Sequence, residues 1–95
     1  MKNSIIVEKS ETGDEVYFRL NHGTVSHTVE ITNSMYADMD SKGTLLGVEW
    51  INIKECTKDA HLGSRDYSTV PEIKALHLKH PETSVKIEKL LSGIL

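Results

Sequence analysis

The first half of the chain alternates apolar and polar positions with a period of two, most clearly in residues 35–53. Apolar side chains recur on both sides of a polar turn, at Met35, Ala37, Met39, Leu46, Val48 and Trp50. Within the turn, Asp40 and Ser41 can hydrogen-bond the neighbouring backbone, and Gly43 can adopt a positive φ. A period of two with one polar face is typical of an antiparallel sheet exposed to water on one side. We therefore predict a β-hairpin.

Three shorter segments upstream have the same character. The pattern predicts strands that begin near residue 5 and that span residues 15–20 and 25–32, with turns at Gly13 and Gly23. Together with the hairpin they make five strands, and links this short predict pairing mostly between sequential antiparallel neighbours. We expect the buried residues to include Val16, Phe18, Leu20, Val29, Ile31, Val48 and Trp50.

The pattern changes after residue 53. Residues 54–68 lack a period, which predicts a loop. A capping-box pattern at Thr69–Glu72, with Pro71 in the first turn, predicts a helix that ends before Pro81. Pro81 opens a second predicted helix. Its apolar stripe, spaced as on one helix face, consists of Ile87, Leu90, Leu91 and Ile94.

The predicted fold is α+β, with an antiparallel β-meander of about five strands in residues 1–53, a loop at 54–68 and two C-terminal helices in 69–95. A chain of 95 residues is expected to form a single domain. The last helix is too apolar to remain free in water and too short to be stable alone. We therefore expect the helical tail to pack on its own sheet or on a partner, with the apolar stripe as a protein interface.

Charge is unevenly divided between the two halves of the chain. Residues 1–53 hold 4 Lys/Arg and 8 Asp/Glu, whereas residues 54–95 hold 7 and 6. The acidic sheet half argues against nucleic acid as a partner, because phosphate neutralisation needs Lys and Arg. The single cysteine excludes an internal disulfide, and no apolar run approaches the ~20 residues of a membrane span. The apolar run at the N-terminus is too short for the hydrophobic region of a signal peptide. We therefore expect a cytoplasmic protein without membrane contact.

The hairpin resembles the DUF2283 family, a small bacterial and phage domain of unknown function. That family has a strand, a turn of the form Asp-x-Asp-x-x-Gly and a strand reading Leu-x-Gly-Ile-Glu-Ile-Leu. This chain has Asp38, Asp40 and Gly43, followed by Leu46-Gly47-Val48-Glu49-Trp50-Ile51. The resemblance covers about residues 4–53, with Trp50 in place of a smaller aliphatic residue. It implies a small β-meander without an established active site.

Asp38, Asp40 and Glu49 are candidate oxygen ligands for Ca²⁺ or Mg²⁺. A calcium-binding loop needs a third acidic residue before the Gly, and the chain has none there. We therefore interpret these residues as the solvated acidic rim of a hairpin turn. No metal, cofactor or catalytic residue is predicted there.

His77 and His80 have a spacing at which two side chains on one helix can share a metal. No third ligand is evident, so two surface histidines near a helix C-terminus are the simpler interpretation. His27 is expected to be partly buried on an apolar strand face. Cys56 has only flexible lysines nearby to lower its pKa, and we expect a half-buried structural residue at the end of the last strand.

The sequence contains no evident combination of acid, base and nucleophile. We therefore expect a non-catalytic protein-binding or assembly module whose partner is itself, in a homodimer, or another protein. One version is an antitoxin-like or phage-encoded protein that neutralises another protein by docking on it. The alternative is a small metal-dependent enzyme that uses the acidic hairpin turn.

Overall fold

The computed structural model describes residues 5–62 and 67–94, without the side chains of residues 59, 61 and 62. The chain divides into two compact units, Met1–Ile53 and Lys54–Leu95, here called the sheet unit and the helical unit. Their boundary falls where the sequence predicts the sheet half to end. Packing of the helical tail on the sheet stays a prediction.

The sheet unit contains one antiparallel sheet. Its strands are β1 (Ile6–Lys9), β2 (Val16–Arg19), β3 (His27–Thr32), β4 (Met35–Met39) and β5 (Leu45–Trp50). Their order across the sheet is β1-β2-β5-β4-β3. The predicted five-stranded antiparallel sheet is confirmed, and three of its four pairings join consecutive strands. The fourth joins β2 to β5, so β2 and β3 are not neighbours.

The connection from β2 to β3 explains this departure from a sequential order. The backbone N–H groups of Leu20 and Asn21 donate to the carbonyl oxygen of Leu46, at 2.9 and 3.1 Å. The N–H of Ser26 donates to the carbonyl of Met39 at 2.8 Å. Residues 20–26 therefore follow the ends of β5 and β4 to the far edge of the sheet, instead of folding back in a hairpin.

One face of the sheet carries the buried apolar residues of this unit. The strand residues with at most 3% of their surface exposed are Val16, Phe18, Met35, Ala37, Leu46, Val48 and Trp50. Trp50 lies at the centre of a row, because Val16 on β2 and Met35 on β4 are both its register partners. The alternation around the hairpin therefore predicted the buried face correctly.

The edge of the sheet is less buried than predicted. Leu20, Val29 and Ile31 are only half-buried. Val29 and Ile31 lie on β3, which has a neighbouring strand on one side only, and Leu20 lies beyond the end of β2. His27, at the start of β3, is exposed, so its predicted partial burial is wrong.

The helical unit contains α1 (Ile53–Leu62), a 3-10 helix (Tyr67–Thr69), α2 (Pro71–Lys79) and α3 (Pro81–Ile94). The first residue of α1, Ile53, is also the last residue of the sheet unit. α2 packs against α3, and the 3-10 helix contacts both. The predicted break before Pro81 is confirmed, as is Pro71 in the first turn. The N-cap of α2 is Val70, one residue after the Thr69 at which the capping-box pattern predicts it.

A helix replaces most of the loop predicted for residues 54–68; residues 63–66 lie outside the described part of the chain. Ile53, Cys56, Thr57 and Ala60 are spaced as on one helix face, and all are buried or half-buried. Sequence reasoning missed this stripe because Cys, Thr and Ala give a weak apolar signal. Asn52 has a φ of 56°, a left-handed conformation that Asn tolerates and that redirects the chain from β5 into α1.

Candidate functional site

The acidic turn between β4 and β5 is organised around Asp40. Its Oδ1 accepts hydrogen bonds from the backbone N–H groups of Lys42 at 2.9 Å and Thr44 at 2.8 Å. Gly43 adopts the predicted positive φ, at 86°. The bond from Thr44, which is the largest contribution, and the bond from Lys42 lower the pKa of the Asp40 carboxyl. This carboxylate therefore holds the turn closed.

Asp38 on β4 links its own strand to β3, which is a neighbour, and to β2, which is not. Its Oδ2 accepts a hydrogen bond of 3.0 Å from the hydroxyl of Tyr17 on β2, and its Oδ1 accepts one of 2.7 Å from the hydroxyl of Thr28 on β3. Both carboxylate oxygens are thus engaged by protein donors. Because β5 lies between β2 and β4, the Tyr17 side chain crosses β5 to reach Asp38.

The crossing takes place at Gly47. A β-carbon at this position would overlap the hydroxyl and the ring of Tyr17. Gly47 pairs with Asp38 on β4, which places the glycine directly beside the carboxylate that Tyr17 reaches. Burial, followed by the hydrogen bond to Asp38, raises the pKa of Tyr17 to about 12. A glycine at position 47 is therefore required for the Tyr17 ring to pack against β5.

Glu49, the third predicted ligand, is exposed on the same polar face. It lines a shallow depression of about 210 Å³ with residues that include Glu8 and Tyr17. Glu8 is engaged by Arg19 in an exposed ion pair at 3.2 Å, and the Arg19 guanidinium lies 5.3 Å from the centre of the Tyr17 ring. Among the described residues, no three His, Cys, Asp or Glu side chains are close enough to hold a metal ion together.

The two helical histidines have different surroundings. His77 on α2 places its Nδ1 2.7 Å from the Oγ of Ser84, and Ser84 donates its hydroxyl proton to the carbonyl of Pro81 at 2.9 Å. While Ser84 donates to Pro81, its Oγ can only accept from His77, so Nδ1 is the donor in that contact. Ser84 is 1% exposed and its proton faces a carbonyl, so the pair does not have the geometry of an activated nucleophile.

His80 is the C-cap of α2, where its backbone N–H donates to the carbonyl of Leu76 at 2.7 Å. Burial, followed by the positive charge of Lys79, lowers the pKa of His80. Cys56 is half-buried as predicted, but it lies within α1, so its predicted place at the end of a strand is wrong.

The predicted interface stripe on α3 is largely buried within the single chain. Ile87 and Leu91 are fully buried, whereas Leu90 and Ile94 are half-buried. Little of the stripe is therefore exposed to a partner in this structure. Its role in a protein interface stays a prediction.

Sequence reasoning missed a groove between α2 and α3, with a volume of about 350 Å³. Its main lining residues are Ile73, Lys74, His77 and Leu78 from α2 and Val85 and Glu88 from α3. Leu78 is 86% exposed and Val85 is 40% exposed, and both line this one groove, so they form an exposed apolar patch. The sequence contained one signal for this groove. Leu78 is an apolar residue that lies outside the apolar stripe formed by Ile73 and Leu76.

A second depression of about 310 Å³ extends this surface along α3. It shares Val85 and Glu88 with the groove and adds Tyr67, Lys89 and Ser92. Ion pairs within the described residues involve neither Lys74 nor Glu88. The surface therefore combines exposed apolar side chains with unpaired charges of both signs.

No helix in the described part of the chain has the length and apolar character needed to cross a membrane. Comparisons with protein-family models, curated proteins and solved structures give no match. The resemblance to the DUF2283 family and the cytoplasmic location therefore stay predictions.

Proposed function

We propose that this protein is a non-catalytic binding module that docks other protein surfaces through the groove between α2 and α3. The observation that carries the proposal is the 86% exposure of Leu78 at the edge of an apolar groove. Burial of a leucine side chain contributes about 1.5–3 kcal/mol, so a partner that covers Leu78 gains directly from doing so. A single exposed leucine is ordinary, but one beside Val85 and above a groove forms a contiguous docking surface.

The chemistry of the polar residues supports a non-catalytic role. Asp38 is engaged by two hydroxyl groups, and Asp40 is engaged by the backbone of its own turn. Ser84 is buried with its proton directed at a carbonyl. These candidate catalytic groups therefore have structural roles, and the metal-dependent enzyme has weaker support as an alternative.

The resemblance to the DUF2283 family favours a specific version of this proposal. That family consists of small bacterial and phage proteins, which fits an antitoxin-like or phage-encoded protein that neutralises another protein by covering it. In such a protein the binding surface itself is the functional site, and no reacting group is needed.

Affinity capture with matched variants tests the proposal. We expect a protein from the source cells to be retained by the wild type and lost with Leu78→Asp. Val25→Asp is the control, because Val25 is also an exposed apolar residue, at 48%, but lies in the sheet unit. The captured protein is then purified, and its binding to both variants is measured by calorimetry. Equal binding to the wild type and Leu78→Asp would show that the groove is not the docking site.

The enzyme alternative is tested on the same purified protein. A metal ion that binds the native state raises its melting temperature. We expect millimolar Ca²⁺ or Mg²⁺ to leave the melting temperature unchanged, because Asp38 and Asp40 already have protein donors. A rise of several degrees that is abolished by Asp38→Asn would favour the alternative.

A further inference from the structure

The surface around the α2–α3 groove contains both a projection and a depression. Leu78 projects, with 86% of its surface exposed, whereas Ile73 in the lining is 2% exposed and forms part of the floor. A two-fold symmetric interface uses the same patch on both copies, so the patch must be complementary to itself. A leucine beside an apolar groove meets this requirement, because each copy can place its leucine into the groove of the other.

The groove also carries charges of both signs, so the charges of one copy can match those of a second copy. Lys74 from α2 and Glu88 from α3 both line it, and neither forms an ion pair with any described residue. A patch of one sign would repel a second copy. With both signs present, two-fold symmetry can bring Lys74 of each copy to Glu88 of the other, which forms two equivalent ion pairs.

We propose that the occupant of the α2–α3 groove is a second copy of this chain. In this dimer Leu78 of each copy enters the groove of the other, and Lys74 of one copy pairs with Glu88 of the other. The inference rests on the proposed docking function and names the partner. Among the described residues, Leu78 and Val85 are the exposed large apolar side chains of this surface, which predicts a weak, reversible dimer at the low end of interface size.

Sedimentation equilibrium tests the dimer over concentrations from about 10 to about 500 µM, a range suited to a weak interface. The wild type is expected to rise from 10.6 kDa towards twice this mass with increasing concentration. Leu78→Asp is expected to weaken the association by at least about tenfold, since it places a charge in the apolar contact. The exposed-apolar control Val25→Asp is expected to associate like the wild type. Circular dichroism verifies that each variant is folded.

Charge exchange tests the pairing itself and does not depend on Leu78. Lys74→Glu and Glu88→Lys, each alone, place like charges opposite each other twice in the symmetric dimer and are expected to be monomeric. An equimolar mixture of the two variants restores both opposite-charge contacts and is expected to form a heterodimer. Lys86→Glu and Glu82→Lys make the same changes on α3 outside the groove lining and are expected to leave self-association intact.

A wild type that stays monomeric over the whole range would overturn the second copy as occupant, and so would a dimer that Leu78→Asp leaves intact. A mixture of the charge variants that stays monomeric would overturn the proposed ion pairs. None of these results decides the docking function, which is judged by calorimetry with the captured protein. A monomer that binds that protein through Leu78 would retain the function and reject only the dimer.

Discussion

The side chain of Tyr17 occupies the space that a side chain at position 47 would need, so Gly47 and Tyr17 form one packing unit. The ring passes over β5 at this glycine and donates its hydroxyl to Asp38 on the next strand, at 3.0 Å. A hydrogen bond thereby connects β2 and β4 across the strand that separates them. The glycine of the second hairpin strand thus has a structural reason in this chain.

Gly47→Ala is expected to lower the free energy of unfolding by about 1–3 kcal/mol, because an added methyl group displaces the Tyr17 ring and breaks its bond to Asp38. Urea unfolding followed by circular dichroism measures this change. Gly93→Ala is the matched control, since a β-carbon there meets no atom within 4 Å and the residue lies in α3. Alanine is the better helix former, so the control is expected to be neutral or stabilising.

A double-mutant cycle tests whether the Tyr17 ring is the cause of this cost. In a Tyr17→Ala background, the space beside Gly47 is free, and the cost of Gly47→Ala is expected to become much smaller. The same cost in both backgrounds would show that the backbone at Gly47, and not the ring, forbids a side chain.

Stability at alkaline pH reports on the same tyrosine. The pKa of Tyr17 is about 12 in the folded protein against a usual value of 10.0. Below pH 10 the phenol is protonated in both the folded and unfolded states, so its contribution to stability is fully present there. Between pH 10 and 12 the unfolded state releases the proton and the folded state keeps it, so stability falls. We expect the urea midpoint to fall more steeply in this window for the wild type than for Tyr17→Phe, and parallel curves would contradict the raised pKa.

Asp40 is expected to have the opposite dependence, at acidic pH. Its folded-state pKa lies below the usual 3.8, so its contribution is present above that pH and is lost as pH falls through the folded-state pKa. Asp40→Ala is expected to lower the urea midpoint at neutral pH. Asp40→Asn is expected to lower it less, because an amide oxygen can still accept from Lys42 and Thr44. The difference between wild type and Asp40→Asn should shrink below pH 3.8; a constant difference would show that the charge of Asp40 is unimportant.

Local signals explain which parts of the sheet the sequence predicted. The alternation around Met35 and Trp50 and the turn chemistry of Asp40 and Gly43 depend on neighbours in the chain, and these predictions are confirmed. The β2–β5 pairing joins segments about thirty residues apart, and short-range patterns carry no information on such a choice. The crossing of Tyr17 over Gly47 depends on that pairing and could not be derived without it.

The helical unit was predicted less well because its signals are weaker. Pro71 and Pro81 fix helix starts by their restricted backbone, and both starts are confirmed. The stripe of α1 contains Cys56 and Thr57, whose apolar contribution is small, and the helix was predicted as a loop. The groove between α2 and α3 was missed because the exposure of Leu78 depends on how the two helices pack, which a single-helix pattern does not reveal.

Leu78 and Leu91 form a matched pair for the last prediction, since one is 86% exposed and the other is fully buried. Leu91→Ala is expected to lower the free energy of unfolding by about 2–5 kcal/mol, through lost burial and the cavity that remains. Leu78→Ala is expected to change it by less than about 0.5 kcal/mol, as is usual for a surface position. Leu90→Ala, at a half-buried position, should fall between them.

Protein concentration separates a core role of Leu91 from an interface role. A contact inside one chain contributes the same stability at any protein concentration, whereas a contact between chains contributes more as concentration rises. The comparison is best made in a Leu78→Asp background, in which the proposed groove dimer does not form. We expect the cost of Leu91→Ala to be unchanged over an about hundredfold range of concentration, because Leu91 is already fully buried within one chain. A cost that grows with concentration would show that the stripe of α3 is a protein interface, as its sequence predicts.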